Sequence, residues 1–186
     1  IPSVEAFIGC GFVPDGGVSH EDLVAREGVD IVEREDTDLA TLIFTSGTAG
    51  SPKAAMLTHG NLRANIAQVL STPGNAQSAD DVVFAVLPMF HIYALNAALG
   101  LVARCGATAV ISDRFDPEGS LRMVQDHKVT NIAGAPPMYI AWSAIPNFAN
   151  RMSSVRMLAS GAAPLLPAVY QQFASAGLTI WEGYGM

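Results

Sequence analysis

From Leu39 onward, short apolar runs alternate with amphipathic stretches along the chain. Leu39-Ala40-Thr41-Leu42-Ile43-Phe44 is an apolar run ending in a Gly/Ser/Thr loop, the pattern of a buried strand. Thr58 is placed to cap a helix in which Leu62, Ile66 and Val69 share a face. Val82 to Leu87 reads as a strand stopped by Pro88. The stretch from His91 to Arg104 is apolar nearly all round, which predicts a buried helix. Thr108 to Ile111 is a strand, and Asp116-Pro117 starts a helix carrying Leu121, Val124 and His127. Thr130 to Ala133, Val155 to Ala159 and Leu178 to Trp181 are further strands, with Trp181 expected in the core. Helices near Pro137 to Ile145 and Pro167 to Ala176 separate them. This alternation predicts an α/β fold, a layered and mostly parallel sheet flanked by helices. Ligands in such sheets lie at the carboxyl ends of the strands.

Residues 1–38 follow a different rule. Gly9, Gly11, Pro14, Gly16 and Gly17 punctuate them, and Glu33, Glu35, Asp36 and Asp38 close them with acid, which reads as an irregular lead-in before a domain over residues 39–186. Composition then changes the picture. Half of the residues are hydrophobic and 15% are charged, against about 25% in ordinary soluble domains. Apolar surface is therefore expected to be covered by sequence outside these residues or by another chain, and the isolated chain to self-associate. A net charge of -7 argues against a nucleic-acid partner. Cys10 and Cys105 lack metal-ligand spacing and read as reduced thiols, which points to the cytoplasm. The start at Ile1 carries no Met and no signal-peptide pattern, so the chain is expected to begin mid-protein. Val82 to Ile111 is broken by Pro88, His91, Arg104 and Gly106, and reads as core rather than as a membrane span.

The segment with the most chemistry is Thr45-Ser46-Gly47-Thr48-Ala49-Gly50-Ser51-Pro52-Lys53. Its glycines free backbone N–H groups, its hydroxyls add donors and Lys53 adds a point charge, a set that suits a polyphosphate. A flexible Ser/Gly loop has the same composition; the strand before it and the Lys at its end favour the phosphate reading. Pro52 before Lys53 and Ala54 after it exclude a Walker P-loop, and neither GxGxxG nor GxSxG occurs.

Thr45 to Leu62 resembles the phosphate-binding signature of the adenylate-forming superfamily, of the acyl-CoA synthetase (fatty acid–CoA ligase) type. Ala49 stands where a second Thr or Ser is usual, and Ala54 where Gly is usual. Leu87-Pro88-Met89-Phe90-His91, Ser160-Gly161-Ala162-Ala163-Pro164-Leu165 and Glu182-Gly183-Tyr184-Gly185-Met186 resemble three more of its segments, in the family's order. The resemblance covers the chain from about Leu39 to its end.

The resemblance implies that a carboxylate attacks the α-phosphate of Mg·ATP, and that coenzyme A, or alternatively a carrier-protein thiol, then displaces AMP. It implies that Thr45, Ser46, Gly47, Thr48, Gly50, Ser51 and Lys53 hold the phosphates, with Lys53 and His91 catalytic. Gly161, Ala162, Ala163, Glu182, Gly183, Tyr184 and Gly185 would frame the nucleotide, and Phe90, His91 and Gly161 the acid. His20, His59 and His127 gain no role from it. It implies further that the chain is part of the AMP-binding domain, cut at both ends and inactive alone, with the Mg²⁺ ligand, the ribose-binding acid and a second catalytic Lys downstream. The apolar residues Met89, Phe90, Ile92, Tyr93 and Leu95 favour an acyl or aromatic acid over a charged amino acid, and the resemblance to the fatty acid–CoA ligase type makes a fatty acid the expected substrate. An aryl- or amino-acid adenylation domain and a non-catalytic, self-associating module are the alternatives.

Overall fold

In the computed structural model, residues 7–13, 15–45, 52–72, 74 and 77–185 are described, and the chain divides into Ile1–Arg34 and Glu35–Met186. The first unit pairs β1 (Ile8–Gly9) in parallel with β2 (Val18–Ser19) and continues into α1 (His20–Val24). Ser19 caps that helix, its Oγ accepting the Asp22 N–H at 3.0 Å.

The second unit begins with an antiparallel hairpin, β3 (Leu39–Thr45) against β4 (Lys53–Thr58). Here the structure corrects the sequence reading. The Leu39–Phe44 run is a strand, but not a buried one: Leu39, Leu42, Phe44 and Met56 are all exposed, because the hairpin belongs to a two-stranded sheet of its own. The β4 strand was not anticipated, since Ala54 and Ala55 carry little strand signal.

Thr58 ends β4 and caps α2 (His59–Ser71) through a reciprocal box. Its Oγ1 accepts the Asn61 N–H at 3.2 Å, while the Asn61 side chain accepts the Thr58 N–H at 3.0 Å. Gly60 packs so closely that a Cβ would lie 2.8 Å from the Asp36 carbonyl oxygen. Leu62, Ile66 and Val69 are the partly buried face, as their spacing predicts.

Five parallel strands form the main sheet. They are β5 (Val82–Ala85), β6 (Thr108–Ile111), β7 (Asn131–Gly134), β8 (Met157–Ser160) and β9 (Ile180–Glu182), in the spatial order β6-β5-β7-β8-β9. Between β5 and β6 runs one helical stretch, α3 (Ile92–Ala94), a π-helical turn (Leu95–Gly100) and α4 (Leu101–Cys105), which Gly106 ends in the left-handed conformation at φ 70°. Only Ala94, Asn96, Ala98 and Leu101 of it are buried, so the all-round burial expected from its composition does not hold.

The remaining helices are α5 (Pro117–Asp126), α6 (Pro136–Ser143), α7 (Phe148–Arg151) and α8 (Pro167–Ser175). Leu121, Val124, Tyr139, Trp142 and Phe173 from these helices, all without exposed surface, pack with Phe84, Ile132 and Leu158 of the strands into one core. Successive strand residues face opposite ways. Val83 and Ala85 therefore point away from Phe84, toward the layer that holds the buried Ala94, Ala98 and Leu101. Trp181 is a further correction: it is 55% exposed, because among the described residues β9 is an edge strand with a neighbour on one side only.

Asp116 caps α5 as its position before Pro117 predicts, its Oδ2 accepting the Gly119 N–H at 2.6 Å. Asp116→Ala should lower stability by about 1 kcal/mol, the usual cost of a lost N-cap. The urea midpoint reads it directly, and an unchanged midpoint would mean that water replaces the cap.

Among the described residues no helix is long and apolar enough to cross a membrane. Cys10 and Cys105 are both free thiols.

Candidate active site

Four segments leave the carboxyl ends of β5, β7, β8 and β9, the edge at which a parallel sheet presents ligands. From β5 the chain passes through Leu87–Phe90 to His91, which caps α3 with its own ring: Nδ1 accepts the Tyr93 N–H at 3.2 Å. That bond leaves Nε2 as the ring's outward nitrogen. His91 is exposed, and Phe90 beside it is 84% exposed, so both stand at the protein surface.

From β8 the chain makes a tight turn at Ser160–Ala163. Gly161 donates its N–H to the Gly134 carbonyl at 3.1 Å, binding the turn to the end of β7. Ala162 adopts φ 72°, a left-handed conformation that costs an alanine about 1 kcal/mol and persists only when neighbours dictate it. Two of those neighbours come from the β9 end. Gly183 donates its N–H to the Ser160 carbonyl at 2.8 Å, and the Glu182 carboxylate accepts the Leu165 N–H at 2.7 Å. Glu182 thus braces the turn, while Tyr184, 92% exposed, leaves its ring free to lie against a ligand.

The floor beneath Gly161 is the Tyr93 ring. A Cβ on Gly161 would come within 3.1 Å of Tyr93 Cε1, so any larger residue would have to push the ring aside by a few tenths of an ångström. The Tyr93 hydroxyl reaches the Gly134 and Ala159 carbonyls at 3.3 and 3.5 Å. Burial pushes its pKa up to about 12, so it is a neutral donor throughout the physiological range. Tyr139, fully buried, donates to the same Ala159 carbonyl at 2.7 Å, and burial raises its phenol well above the ordinary value. Ser160 is 1% exposed and its Oγ finds no partner among the described residues, directly under the turn.

The site residues read from the sequence therefore fall into two groups. Phe90 and His91, with Gly161, Ala162, Ala163, Glu182, Gly183, Tyr184 and Gly185, converge on one end of the sheet, joined through Tyr93 and the turn's backbone bonds. Thr45 and Lys53 form the second group. They face each other as the last pair of the β3/β4 hairpin, with the Thr45 hydroxyl 3.4 Å from the Lys53 carbonyl. Both are exposed. Ser46, Gly47, Thr48, Ala49, Gly50 and Ser51 lie outside the described residues. No hydrogen bond or ion pair ties Thr45 or Lys53 to the first group among the described residues. The loop they bound joins two antiparallel strands, unlike a Walker loop, which leads from a strand into a helix.

Tyr139 escaped the sequence reading, and Tyr93 entered it only as an apolar neighbour of His91. Their roles depend on register, with Gly134 opposite Ser160 and Ala133 opposite Ala159, and no local signal carries that. No group of three or more His, Cys, Asp or Glu side chains that could hold a metal occurs among the described residues. They do not by themselves fit a Mg²⁺ site.

Residues 10–186 match the AMP-binding enzyme family. The chain is 39% identical over 184 residues to 4-coumarate–CoA ligase 1 of Solanum tuberosum, covering 94% of this chain and 33% of that protein. Among solved structures, ATP-bound MatB from Rhodopseudomonas palustris superposes with a TM-score of 0.81 at 30% identity, covering 93% of this chain and 34% of the other. A malonyl-CoA ligase with methylmalonyl-CoA and AMP bound gives a TM-score of 0.78 at 30% identity, over 87% of this chain and 36% of that one. The chain spans about a third of the length of the curated relatives it matches.

Proposed function

The chain belongs to the AMP-binding enzyme family, and from that membership we propose that it is the central part of the nucleotide-binding domain of an acid–CoA ligase. The reaction joins a carboxylic acid to ATP and then to coenzyme A. A carboxylate oxygen attacks the α-phosphorus, the bond to the bridging oxygen breaks, and pyrophosphate leaves. The thiolate of coenzyme A then attacks the acyl carbon and releases AMP. Mg²⁺ would neutralise phosphate charge.

The observation that carries this reading is the brace between three strand ends, in which Gly161 sits on Tyr93 and Gly183 bonds to Ser160. It sets an exposed aromatic, Tyr184, near a turn whose backbone is held in a conformation alanine otherwise avoids. Such a turn makes a rigid floor for a planar base. The catalysis expected is positioning plus electrostatic stabilisation of the departing pyrophosphate. In this reading Lys53 and the Thr45–Ser51 backbone hold the phosphates, and the outward nitrogen of His91 faces the acid.

The acid itself is apolar. Phe90 and Met89 offer no carboxylate that could pair with an α-amino group, which disfavours an amino acid. Between a fatty chain and an aryl acid, the 39% identity to a coumarate ligase favours the aryl acid. Pyrophosphate exchange by the full-length protein with 4-coumarate, palmitate, malonate and phenylalanine tests this. Exchange with coumarate foremost supports it, and exchange with phenylalanine alone would replace it with a peptide-synthetase reading. Tyr184→Ala should raise the KM for ATP about tenfold, as loss of one base–aromatic stack does; an unchanged KM would remove Tyr184 from the site.

The isolated 186-residue chain is a separate matter. With Phe44 72% and Met56 68% exposed on its hairpin, it should self-associate. A monomer by light scattering across micromolar concentrations would refute that.

A further inference from the structure

We propose that Tyr139 is a positioning residue for the acid: it fixes the Ala159 carbonyl and so keeps the Tyr93 ring under Gly161. The inference rests on the reading of Phe90–Tyr93 and Ser160–Ala163 as the floor of the site. Tyr139 has no exposed surface and touches no ligand. Its ring is set by the core, in edge-on contact with Trp142 at 5.7 Å and with Phe173 at 5.6 Å between centroids. Trp142 is in turn tied through Nε1 to the Ser120 hydroxyl at 2.9 Å. The Tyr139 hydroxyl therefore arrives at the strand ends from a rigid anchor, with no freedom of its own.

Two phenols and two carbonyls meet there. Tyr139 donates a hydrogen bond to the Ala159 carbonyl at 2.7 Å, and Tyr93 is left to divide a weaker donation between Gly134 at 3.3 Å and Ala159 at 3.5 Å. A buried carbonyl that loses its strong donor takes the next one within reach. Without the Tyr139 hydroxyl, Tyr93 is drawn toward Ala159 and away from Gly134. That movement cannot be absorbed silently. The Tyr93 ring is packed closely against Gly161, where an added Cβ would lie 3.1 Å from Cε1, and His91 is held to the Tyr93 N–H at 3.2 Å. A shift of the ring moves the acid's floor and its histidine together. Gly134 is equally confined on its other side, where a Cβ would lie 3.0 Å from the Tyr139 hydroxyl oxygen.

A purely packing role for Tyr139 makes a different prediction, and kinetics separate the two. Tyr139→Phe keeps the ring and its contacts, so the full-length protein should fold. In pyrophosphate exchange its KM for the acid should rise about tenfold while kcat at saturating acid stays within about twofold, since sub-ångström misplacement of a binding group is costly. Tyr93→Phe should show a similar rise. The double variant should be no worse than Tyr93→Phe alone, because Tyr139 acts through Tyr93. An unchanged acid KM in Tyr139→Phe, or multiplying effects in the double variant, overturns the inference while leaving the proposed function intact. Should Tyr139→Phe fail to fold, an unchanged acid KM in Tyr93→Phe overturns it equally. Absence of exchange by the unsubstituted protein with any acid overturns the proposed function, and this inference with it.

Discussion

Replacing Lys53 with alanine should lower kcat/KM for pyrophosphate exchange about a hundredfold and leave the melting temperature where it was. The two halves of that expectation have separate causes. Lys53 opens β4 as an exposed residue, and its position is set by backbone pairing with Thr45, which an alanine preserves. Exposed substitutions of this kind change stability by about 0.5 kcal/mol or less. The charge is another matter. In the proposed reaction, departure of pyrophosphate builds negative charge on the bridging oxygen, and the Lys53 ammonium, if it lies there as proposed, would stabilise the transition state more than the bound ATP. Lys53 is one of only two lysines among the ten basic residues of a chain with net charge -7, so no surplus of positive charge replaces it. Lys53→Arg should recover part of the loss. Exchange rates measured beside thermal unfolding decide the matter: an equal loss of both would make Lys53 structural, and no loss of either would take it out of the site.

The hairpin that carries Lys53 is also where sequence and structure part. An apolar run such as Leu39–Phe44 reads as a buried strand when burial is inferred from hydrophobicity alone, yet Phe44 is 72% exposed. Hydrophobic sequence states what a strand can be packed against, and not whether the partner lies within these residues. The five central strands were legible for the opposite reason. Val82–Ala85 and Thr108–Ile111 are paired inside the described sheet; the second apolar run coincides with its ladder, while the first, expected to reach Leu87, stops pairing at Ala85. At β7, β8 and β9 the expected bounds drift by one or two residues, the usual uncertainty of element ends. Trp181 fails like the hairpin: its side chain lies on an edge strand, and edge position is a property of topology.

The candidate site entered the sequence reading as motifs, while what supports it was not legible there. Ser160–Leu165 and Glu182–Gly185 stand out in the sequence only through their resemblance to the family's segments, and the structure brings both to one end of the sheet. What holds them is spread over the chain: Tyr93 between β5 and β6, Tyr139 on α6, and Glu182 reaching back to Leu165. Each link spans between 17 and 66 residues, so no window of sequence contains it.

At the opposite end of the sheet, Asp81→Ala should cost about 3 kcal/mol, the lower end for breaking a buried ion pair. Asp81 is 3% exposed and precedes β5, Thr130 precedes β7 and Arg156 precedes β8. Its carboxylate accepts the Thr130 hydroxyl at 2.7 Å, the Ser78 N–H at 2.7 Å and the Arg156 Nε–H at 2.9 Å. One side chain thus ties the starts of three strands. Its removal strands those donors, though Arg156, with 42% of its side chain exposed, can turn to water and soften the loss. Burial by itself would raise the Asp81 carboxyl. The hydrogen bonds and charge of Arg156, with Ser78 and Thr130, outweigh it and hold the group below the ordinary 3.8. A carboxyl lowered in the folded state stabilises the fold above its unfolded pKa, and that stabilisation drains away as pH falls through the folded value. The difference in unfolding free energy between the unsubstituted protein and Asp81→Asn, from urea titrations, should therefore be constant from pH 7 to about pH 5 and shrink toward pH 3. A difference that stayed flat to pH 3 would show that Asp81 acts by shape and hydrogen bonding alone, with its charge contributing nothing to the sheet.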